Sequence, residues 1–110
     1  MVDVVLSVIK LKPDKINRLK KWCEELNKRK GEVVETMKRE GIYTESAFLH
    51  RTEDGDFLIY YIEAEDFERA MEVFYKSEKK IDREHRRVLE EVSDDQHFRP
   101  VLLFHFKSKS

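Results

Sequence analysis

The chain has 110 residues, of which 40% are hydrophobic and 41% are charged, and its 22 Lys and Arg residues nearly balance its 23 Asp and Glu residues. This length fits one domain, over residues 1–110, and the near-neutral charge gives no electrostatic reason to bind nucleic acid or an anionic membrane. No apolar run approaches the roughly 20 residues of a membrane span, and the single cysteine, Cys23, excludes an intrachain disulfide and a cysteine metal cluster.

The N-terminus indicates the cellular compartment, and the overall composition indicates the temperature to which the source is adapted. Asp3 lies close to the start, and the basic leader of a signal peptide is missing, so we expect a cytoplasmic protein. Few Gly, Asn and Gln residues stand beside many Lys and Glu residues, which is typical of heat-adapted proteins.

The first part of the chain predicts a strand and a long helix. Residues 2–12 are rich in β-branched side chains on both faces of a strand, and Pro13 ends that strand. Residues 16–40 repeat apolar side chains at helical spacing among Lys, Arg and Glu, which predicts one amphipathic helix. Gly31 loosens the middle of this helix, and Gly41 ends it in the left-handed conformation.

The middle of the chain predicts a β-hairpin. Residues 42–51 and 56–64 are two apolar runs, and residues 52–55 join them. An Asp-Gly pair between apolar runs, here Asp54 and Gly55, is a strong hairpin signal.

The last part of the chain predicts two short helices and a strand. Asp66 caps the first helix, which ends near Ser77. The second helix carries one apolar stripe formed by Ile81, His85, Val88, Leu89 and Val92. Residues 94–97 are predicted to be a polar loop, and residues 101–107 a strand that begins after Pro100.

This element order predicts an α+β fold of ferredoxin-like type, β-α-β-β-α(α)-β, with a four-stranded antiparallel sheet covered by helices on one face. If Arg51 pairs with Asp56, the helix-covered face carries Ala47, Leu49, Leu58, Tyr60 and Ile62. The open face then carries Ser46, Phe48, His50, Phe57, Ile59, Tyr61 and Glu63. We expect Val5, Ile9, Leu11, Val101 and Leu103 to add to the open face, and a bulge would exchange the two sets.

The open face is largely apolar, which predicts a homodimer. Apolar patches beyond a few hundred Å² are rare on monomers, and a stable interface buries about 800 Å² per partner. We therefore expect two sheets to pair face to face as a barrel. A covering helix is the alternative, but the predicted elements leave no helix for it.

Three segments resemble an uncharacterised family of the dimeric α+β barrel superfamily: KLKPDKINRLKKW, ESAFLHRTEDGDFLIYYIEAEDFERA and IDREHRRVLEE. The resemblance implies the ferredoxin-like fold and the face-to-face dimer. It implies little about chemistry, because similar barrels include cofactor-free monooxygenases, sugar mutarotases, dehydratases, haem-degrading enzymes and simple ligand binders.

His85 is the most informative candidate site residue, because its spacing places an imidazole on the apolar stripe of a helix. Asp82 lies one turn earlier and can fix the tautomer of that imidazole and raise its basicity. The alternative is a structural histidine bonded to the backbone, with Asp82 as a helix N-cap.

A second group of candidates projects from the predicted open face. Glu63, Tyr61, His50 and Ser46 share this face, and His105 and Ser7 join them if the polar positions of the outer and central strands point the same way. An acid, a phenol and an imidazole in an apolar cavity are typical of a small-molecule site, and desolvation there would raise the pKa of Glu63. The alternative is that these groups satisfy one another at the dimer seam or lie in water.

Glu45 falls on the predicted helix-facing side, where a buried carboxylate needs a partner. The alternatives are a strand end or a register shifted by one residue. The chain has no short-spaced metal motif such as HExxH, so we predict neither a metal nor a cofactor.

Two functions therefore remain open for the predicted homodimer. The first is a cofactor-free enzyme that performs proton transfer on a small molecule in the cleft between sheet and helices, by monooxygenase-, mutarotase- or isomerase-like chemistry. Glu63 or His85 would act as the base and Tyr61 as the donor, with His50 beside them. The second is a non-catalytic dimer that binds a ligand or only assembles.

Overall fold

The computed structural model describes residues 2–108 and contains four strands and four helices. They run in the order β1 (Asp3–Leu11), α1 (Ile16–Lys28), α2 (Lys30–Glu40), β2 (Ile42–Thr52), β3 (Gly55–Ala64), α3 (Phe67–Lys76), α4 (Lys80–Val92) and β4 (Ser93–Phe98). The strands form one antiparallel sheet in the order β2-β3-β1-β4. This confirms the predicted α+β fold of ferredoxin-like type. No helix within residues 2–108 is long and apolar enough to cross a membrane.

The single helix predicted over residues 16–40 is wrong, because the structure divides it at Arg29. The backbone of Arg29 leaves the helical region, with φ −116° and ψ 39°. Its guanidinium donates to Glu84 of α4 at 2.6 Å and to Glu32 at 2.8 Å. The pair with Glu84 joins the junction of α1 and α2 to α4. The predicted end at Gly41 is confirmed, since Gly41 has φ 73° and its N–H donates to the carbonyl of Lys38.

The predicted hairpin is confirmed, including the pairing of Arg51 with Asp56. The loop is shorter than predicted, because Thr52 pairs with Gly55 and the Thr52 hydroxyl donates to the Gly55 carbonyl at 2.6 Å. The register between β2 and β3 shifts at residues 42–44, before Ser46, where the predicted assignment of residues to the two faces begins.

The last strand lies earlier in the chain than predicted. Residues 93–98 form β4 beside β1, whereas residues 99–108 adopt no regular secondary structure. The Lys12 N–H donates to the Val92 carbonyl at 2.8 Å, which places Ser93 opposite Leu11 as soon as α4 ends. The predicted polar loop at 94–97 and the predicted strand at 101–107 are therefore both wrong. Among residues 2–108, the apolar segment 101–106 pairs with no strand.

The hairpin faces are as predicted, but the faces of β1 are reversed. Tyr60, Leu58 and Ile62 face the helices, as expected from the hairpin. Because Ile9 pairs with Leu58, and Val5 with Ile62, these two β1 residues share that helix-covered face.

Two further β1 residues follow the same register. Ser7 pairs with Tyr60 and so lies on the helix side, not on the open face. Leu11 is also on the helix side, as a member of a buried cluster with Leu58. The open face instead receives Leu6 and Val8, which pair with Tyr61 and Ile59.

Two apolar clusters join the helices to the sheet. The first contains Leu11, Leu19, Trp22, Leu58, Ile81, Val88 and Val92. The second contains Ile42, Ile62, Ala64, Phe67 and Ala70. Members of both clusters line a cavity between the sheet and the helices.

Candidate functional site

A cavity of about 590 Å³ lies between the sheet and the helices. Every strand and every helix named above contributes to its wall, and aliphatic and aromatic side chains form most of its lining. Its volume falls in the range of small-molecule pockets, about 300–1,000 Å³. The cleft predicted from the sequence is therefore present and large enough for a small organic molecule.

Tyr60 and His85 form a polar pair in the wall of this cavity. The Tyr60 hydroxyl lies 3.0 Å from His85 Nε2, and the imidazole packs against Trp22 and Phe74 with ring centroids 5.6 and 5.4 Å away. Burial lowers the pKa of His85 to about 4, and burial raises the pKa of Tyr60 above its usual range. At neutral pH both groups are therefore uncharged, and the tautomer of His85 decides which one donates.

Asp82 does not serve His85 in the way that the sequence suggested. Its carboxylate accepts from Thr36 at 2.8 Å, from Arg39 at 3.2 Å and from the Ser77 hydroxyl. The N-cap position of α4 is Lys79, so Asp82 is not the cap either. Its hydrogen bonds join α2 to α4, and its charge acts on His85 only at a distance, as an influence that raises the pKa.

Two carboxyl groups line the cavity beside the polar pair. Glu45 faces the helices, as its position in β2 predicted, and burial together with Asp82 raises its pKa. Glu40 is only 6% exposed, and its pKa is raised to about 8 by burial and by the charges of Asp82 and Glu45. Glu40 can thus keep its proton up to about pH 8, and Glu45 holds its proton more tightly than an exposed carboxyl group does.

Sequence reasoning did not select Glu40 and Tyr60 as site residues, although both leave a signal. Glu40 follows Val33 and Met37 at seven and three residues, so it falls on the apolar stripe of its helix. Tyr60 belongs to the helix-facing set of β3, the same side on which His85 was expected. A polar side chain on an apolar face was the available clue in each case.

The open face holds a separate cluster at the end of β3. The Tyr61 hydroxyl donates to Glu63 at 3.0 Å, and His105 Nε2 lies 3.4 Å from the same carboxylate. Hydrogen bonds from Thr44 and Tyr61 lower the pKa of Glu63, so the expectation of a raised pKa is wrong. Glu63 is an ordinary carboxylate at neutral pH in this environment.

The four predicted catalytic residues do not converge on one cavity. Tyr61, Glu63 and His50 lie on the open face, whereas His85 lies on the helix-covered side of the sheet. His50 pairs with Phe57 near the hairpin turn and is exposed. Ser46, the remaining open-face candidate, pairs with Tyr61.

The described residues form neither a cluster of metal ligands nor a reactive thiol. Within residues 2–108, no group of three or more His, Cys, Asp and Glu side chains is arranged to hold a metal ion. Cys23 is a half-buried free thiol whose pKa is raised by burial, so little of it is thiolate at neutral pH.

The chain belongs to the DUF6176 family, a family of unknown function, whose sequence model matches residues 2–109. No curated protein matches the chain significantly in sequence. Its fold is similar to that of a conserved protein from Methanosarcina mazei Go1, with 19% identity, a TM-score of 0.60, and coverage of 91% of this chain and 89% of that chain. It is also similar to Rv0793 from Mycobacterium tuberculosis, with 15% identity, a TM-score of 0.57, and coverage of 99% and 100%. At such identities these structures show the fold alone, and that fold agrees with the predicted ferredoxin-like arrangement.

Proposed function

We propose that this DUF6176 family member binds a small molecule in the cavity between sheet and helices. The observation that supports this most strongly is the Tyr60–His85 pair, which places a hydrogen-bonded phenol and imidazole in the wall of a mostly apolar space of about 590 Å³. A few polar groups inside an apolar pocket are what orients a small ligand. A core that served packing alone would fill such a space with side chains.

Proton transfer is the chemistry that this cavity supports best. Glu45 holds its proton more tightly than an exposed carboxyl group, so as a carboxylate it is a stronger base. Tyr60 supplies a hydroxyl that can stabilise a developing negative charge on a bound molecule, and His85 fixes the position of that hydroxyl. In this proposal Glu45 is the base, Tyr60 the donor and His85 the group that positions it.

A binding screen tests the site. We would screen a diverse fragment library by ligand-observed NMR and map each hit by ¹H–¹⁵N shifts, which should change around Tyr60 and His85. Met71 lines the cavity from α3, so Met71→Trp should fill part of the space and weaken the hits. Glu68→Trp, at an exposed position of the same helix outside the cavity wall, is the matched control. Fragments that bind Met71→Trp as tightly as the wild-type chain, or a screen without hits, would contradict the proposed site.

Turnover separates the enzyme from the ligand-binding alternative. Each hit would be incubated with the chain and followed by NMR for deuterium exchange or rearrangement. Tyr60→Phe should preserve the packing but abolish turnover, because only the hydroxyl is lost. Bound hits that never change in the wild-type chain would favour the non-catalytic role.

We also infer that the open face of the sheet pairs with a second copy of the chain. Leu6, Phe48 and Phe98 lie on this face, and Phe48 and Phe98 are 58% and 54% exposed. The apolar residues Val101, Leu102, Leu103, Phe104 and Phe106 follow β4, and each is at least half exposed. Apolar surface this extensive is rare on a monomer. In such a dimer Glu63, Tyr61 and His50 lie at or near the seam, where their predicted site role remains a proposal.

The oligomeric state tests this interface. Phe48→Lys should convert a dimer to a monomer in sedimentation experiments, because it places a charge on the apolar face that pairs. Val34→Lys is the matched control, since Val34 is 48% exposed on α2, away from the sheet. A wild-type monomer at micromolar concentration would contradict the inference.

A further inference from the structure

We propose that the cavity selects an organic cation, namely a primary or secondary ammonium group on an apolar body. This inference rests on the proposed small-molecule site and names the chemical class of its ligand. Glu40 and Glu45 would receive the ammonium group, and the aliphatic and aromatic wall would receive the rest of the molecule.

The carboxyl group of Glu40 lacks a partner. Glu40 is 6% exposed, it lines the cavity, and it makes no hydrogen bond or ion pair to any residue within 2–108. Its carboxyl oxygens therefore have unused acceptor capacity in the wall of the cavity. An ammonium group entering the cavity would supply both the missing donor and the missing charge.

The wall of the cavity carries more carboxyl groups than guanidinium groups. The acids in the lining are Glu40, Glu45, Asp82, Glu90 and Asp94, and the guanidinium groups are those of Arg86 and Arg99. Arg86 Nη1 donates to the Phe74 carbonyl at 2.6 Å, and the Arg99 guanidinium lies 4.6 Å from the centre of the Phe67 ring. Asp82 pairs with Arg39, whereas Glu45 has no hydrogen-bond partner among the described residues. The acidic side chains of the lining therefore outnumber its guanidinium groups.

Aromatic side chains form part of the same wall. Tyr60 and Phe74 line the cavity together with Glu40 and Glu45. Aromatic faces attract cations when water is excluded. An ammonium group can pair with the Glu40 carboxylate once the proton of Glu40 has left, whereas a carboxylate ligand of the same shape cannot, so such a wall discriminates between the two ligands.

The protonation of Glu40 gives this inference its own readout. Burial, followed by the charges of Asp82 and Glu45, raises the pKa of Glu40 to about 8, while the charge of Arg39 lowers it. At pH 7 the free protein therefore holds a proton on Glu40 that a bound ammonium group would displace. Binding should release about one proton at pH 7 and fewer at pH 9.

The experiment is calorimetry with a matched ligand series: hexylamine, cyclohexylamine and 2-phenylethylamine, each beside the alcohol and the carboxylate of the same shape. The amines should bind about 10- to 100-fold more tightly than the alcohols, because hydrogen bonds to charged groups contribute more than neutral ones. Titrations in phosphate and in Tris give the number of protons released. Glu40→Gln should remove both the preference and the proton release. Glu35→Gln, which removes the same charge from an exposed position of α2, should change neither.

Each result decides something. Amines, alcohols and carboxylates that bind equally well would overturn the selection for cations and leave the small-molecule site standing. A preference for amines that survives Glu40→Gln, or that comes without proton release, would also overturn it. A wild-type chain that binds no member of the series would overturn this inference. The proposed small-molecule site itself would be contradicted only if the fragment screen also gave no hits in the cavity.

Discussion

Replacing Glu40 by glutamine should stabilise the free protein, and the gain should depend on pH. Glu40 is an acid whose folded-state pKa, about 8, lies above the ordinary value of 4.5. Between these two values the folded state binds more protons than the unfolded state, so stability falls as the pH rises. Glutamine has nearly the same shape and cannot ionise, so the variant should not lose stability in this way.

The expected gain follows from the size of the pKa shift. A difference of one pKa unit corresponds to about 1.4 kcal/mol, so a shift from 4.5 to about 8 gives about 3 kcal/mol at pH 7. Glu40 lines an open cavity, where solvent screens part of this penalty. We therefore expect Glu40→Gln to raise the free energy of unfolding by about 2 kcal/mol at pH 7, by somewhat more at pH 8, and by almost nothing at pH 4.

Urea unfolding followed by circular dichroism at pH 4, 7 and 8 measures these free energies. Glu35→Gln serves as the control, because Glu35 is exposed on the same helix. Its effect should stay within about 0.5 kcal/mol at every pH. A Glu40→Gln effect that is equal at pH 4 and pH 8, or a loss of stability at pH 8, would refute the reasoning that the fold holds this carboxyl group protonated.

Three further predictions concern the titration of His85, the core and the helix end. His85 has a folded-state pKa of about 4, below its usual value of 6.5, so between these values the unfolded state binds more protons and the protein loses stability as the pH drops. His85→Phe should remove about 3 kcal/mol of this loss by pH 4, as measured by urea unfolding between pH 7 and pH 4. Leu58 is 2% exposed, and Leu58→Ala should lower the free energy of unfolding by about 3 kcal/mol, whereas a loss under about 1 kcal/mol would contradict its place in the core. Gly41→Ala should lower the free energy of unfolding by about 1 kcal/mol, because Gly41 has a left-handed φ of 73°. Gly31→Ala, in a helix with open space around it, should raise the free energy of unfolding by about 0.5 kcal/mol. Equal shifts of the unfolding temperature for the two variants would contradict this prediction.

Local signals explain why most of the fold was predictable. The Asp54-Gly55 turn fixes the register of the hairpin, and that register assigns a face to every residue of β2 and β3. Gly41 marks a helix end because its left-handed backbone favours glycine. Gly31 predicted a loosened middle of this helix, but not a break at Arg29, whose guanidinium pairs with Glu84, 55 residues away.

The strands β1 and β4 show where sequence patterns fail. β1 is apolar on both faces, so alternation cannot decide which face meets the helices. β4 reads SDDQHF, a polar sequence whose pairing follows from the bond between Lys12 and Val92 at the end of α4. The apolar segment 101–106 has the stronger strand pattern, yet it pairs with no strand in the part of the chain that the structure describes.

Only part of the site was predictable from the sequence, and its arrangement was not. Periodicity placed Glu45 and His85 on the surfaces that line the cavity, and the structure agrees. The distance of 3.0 Å between Tyr60 and His85 depends on how α4 packs on β3, which no spacing within one element contains. The same limit applies to Asp82, whose partners Thr36 and Arg39 come from another helix.

The central claim is that the space between sheet and helices is a small-molecule site, and the most direct test is a crystal structure of the wild-type chain soaked with a diverse fragment mixture. We predict fragment density inside the cavity, in hydrogen-bond contact with the Tyr60 hydroxyl or the carboxyl groups of Glu40 and Glu45, and packed against His85. A cavity that side chains close, or fragments that gather only on the open face of the sheet around Tyr61 and Glu63, would contradict the claim.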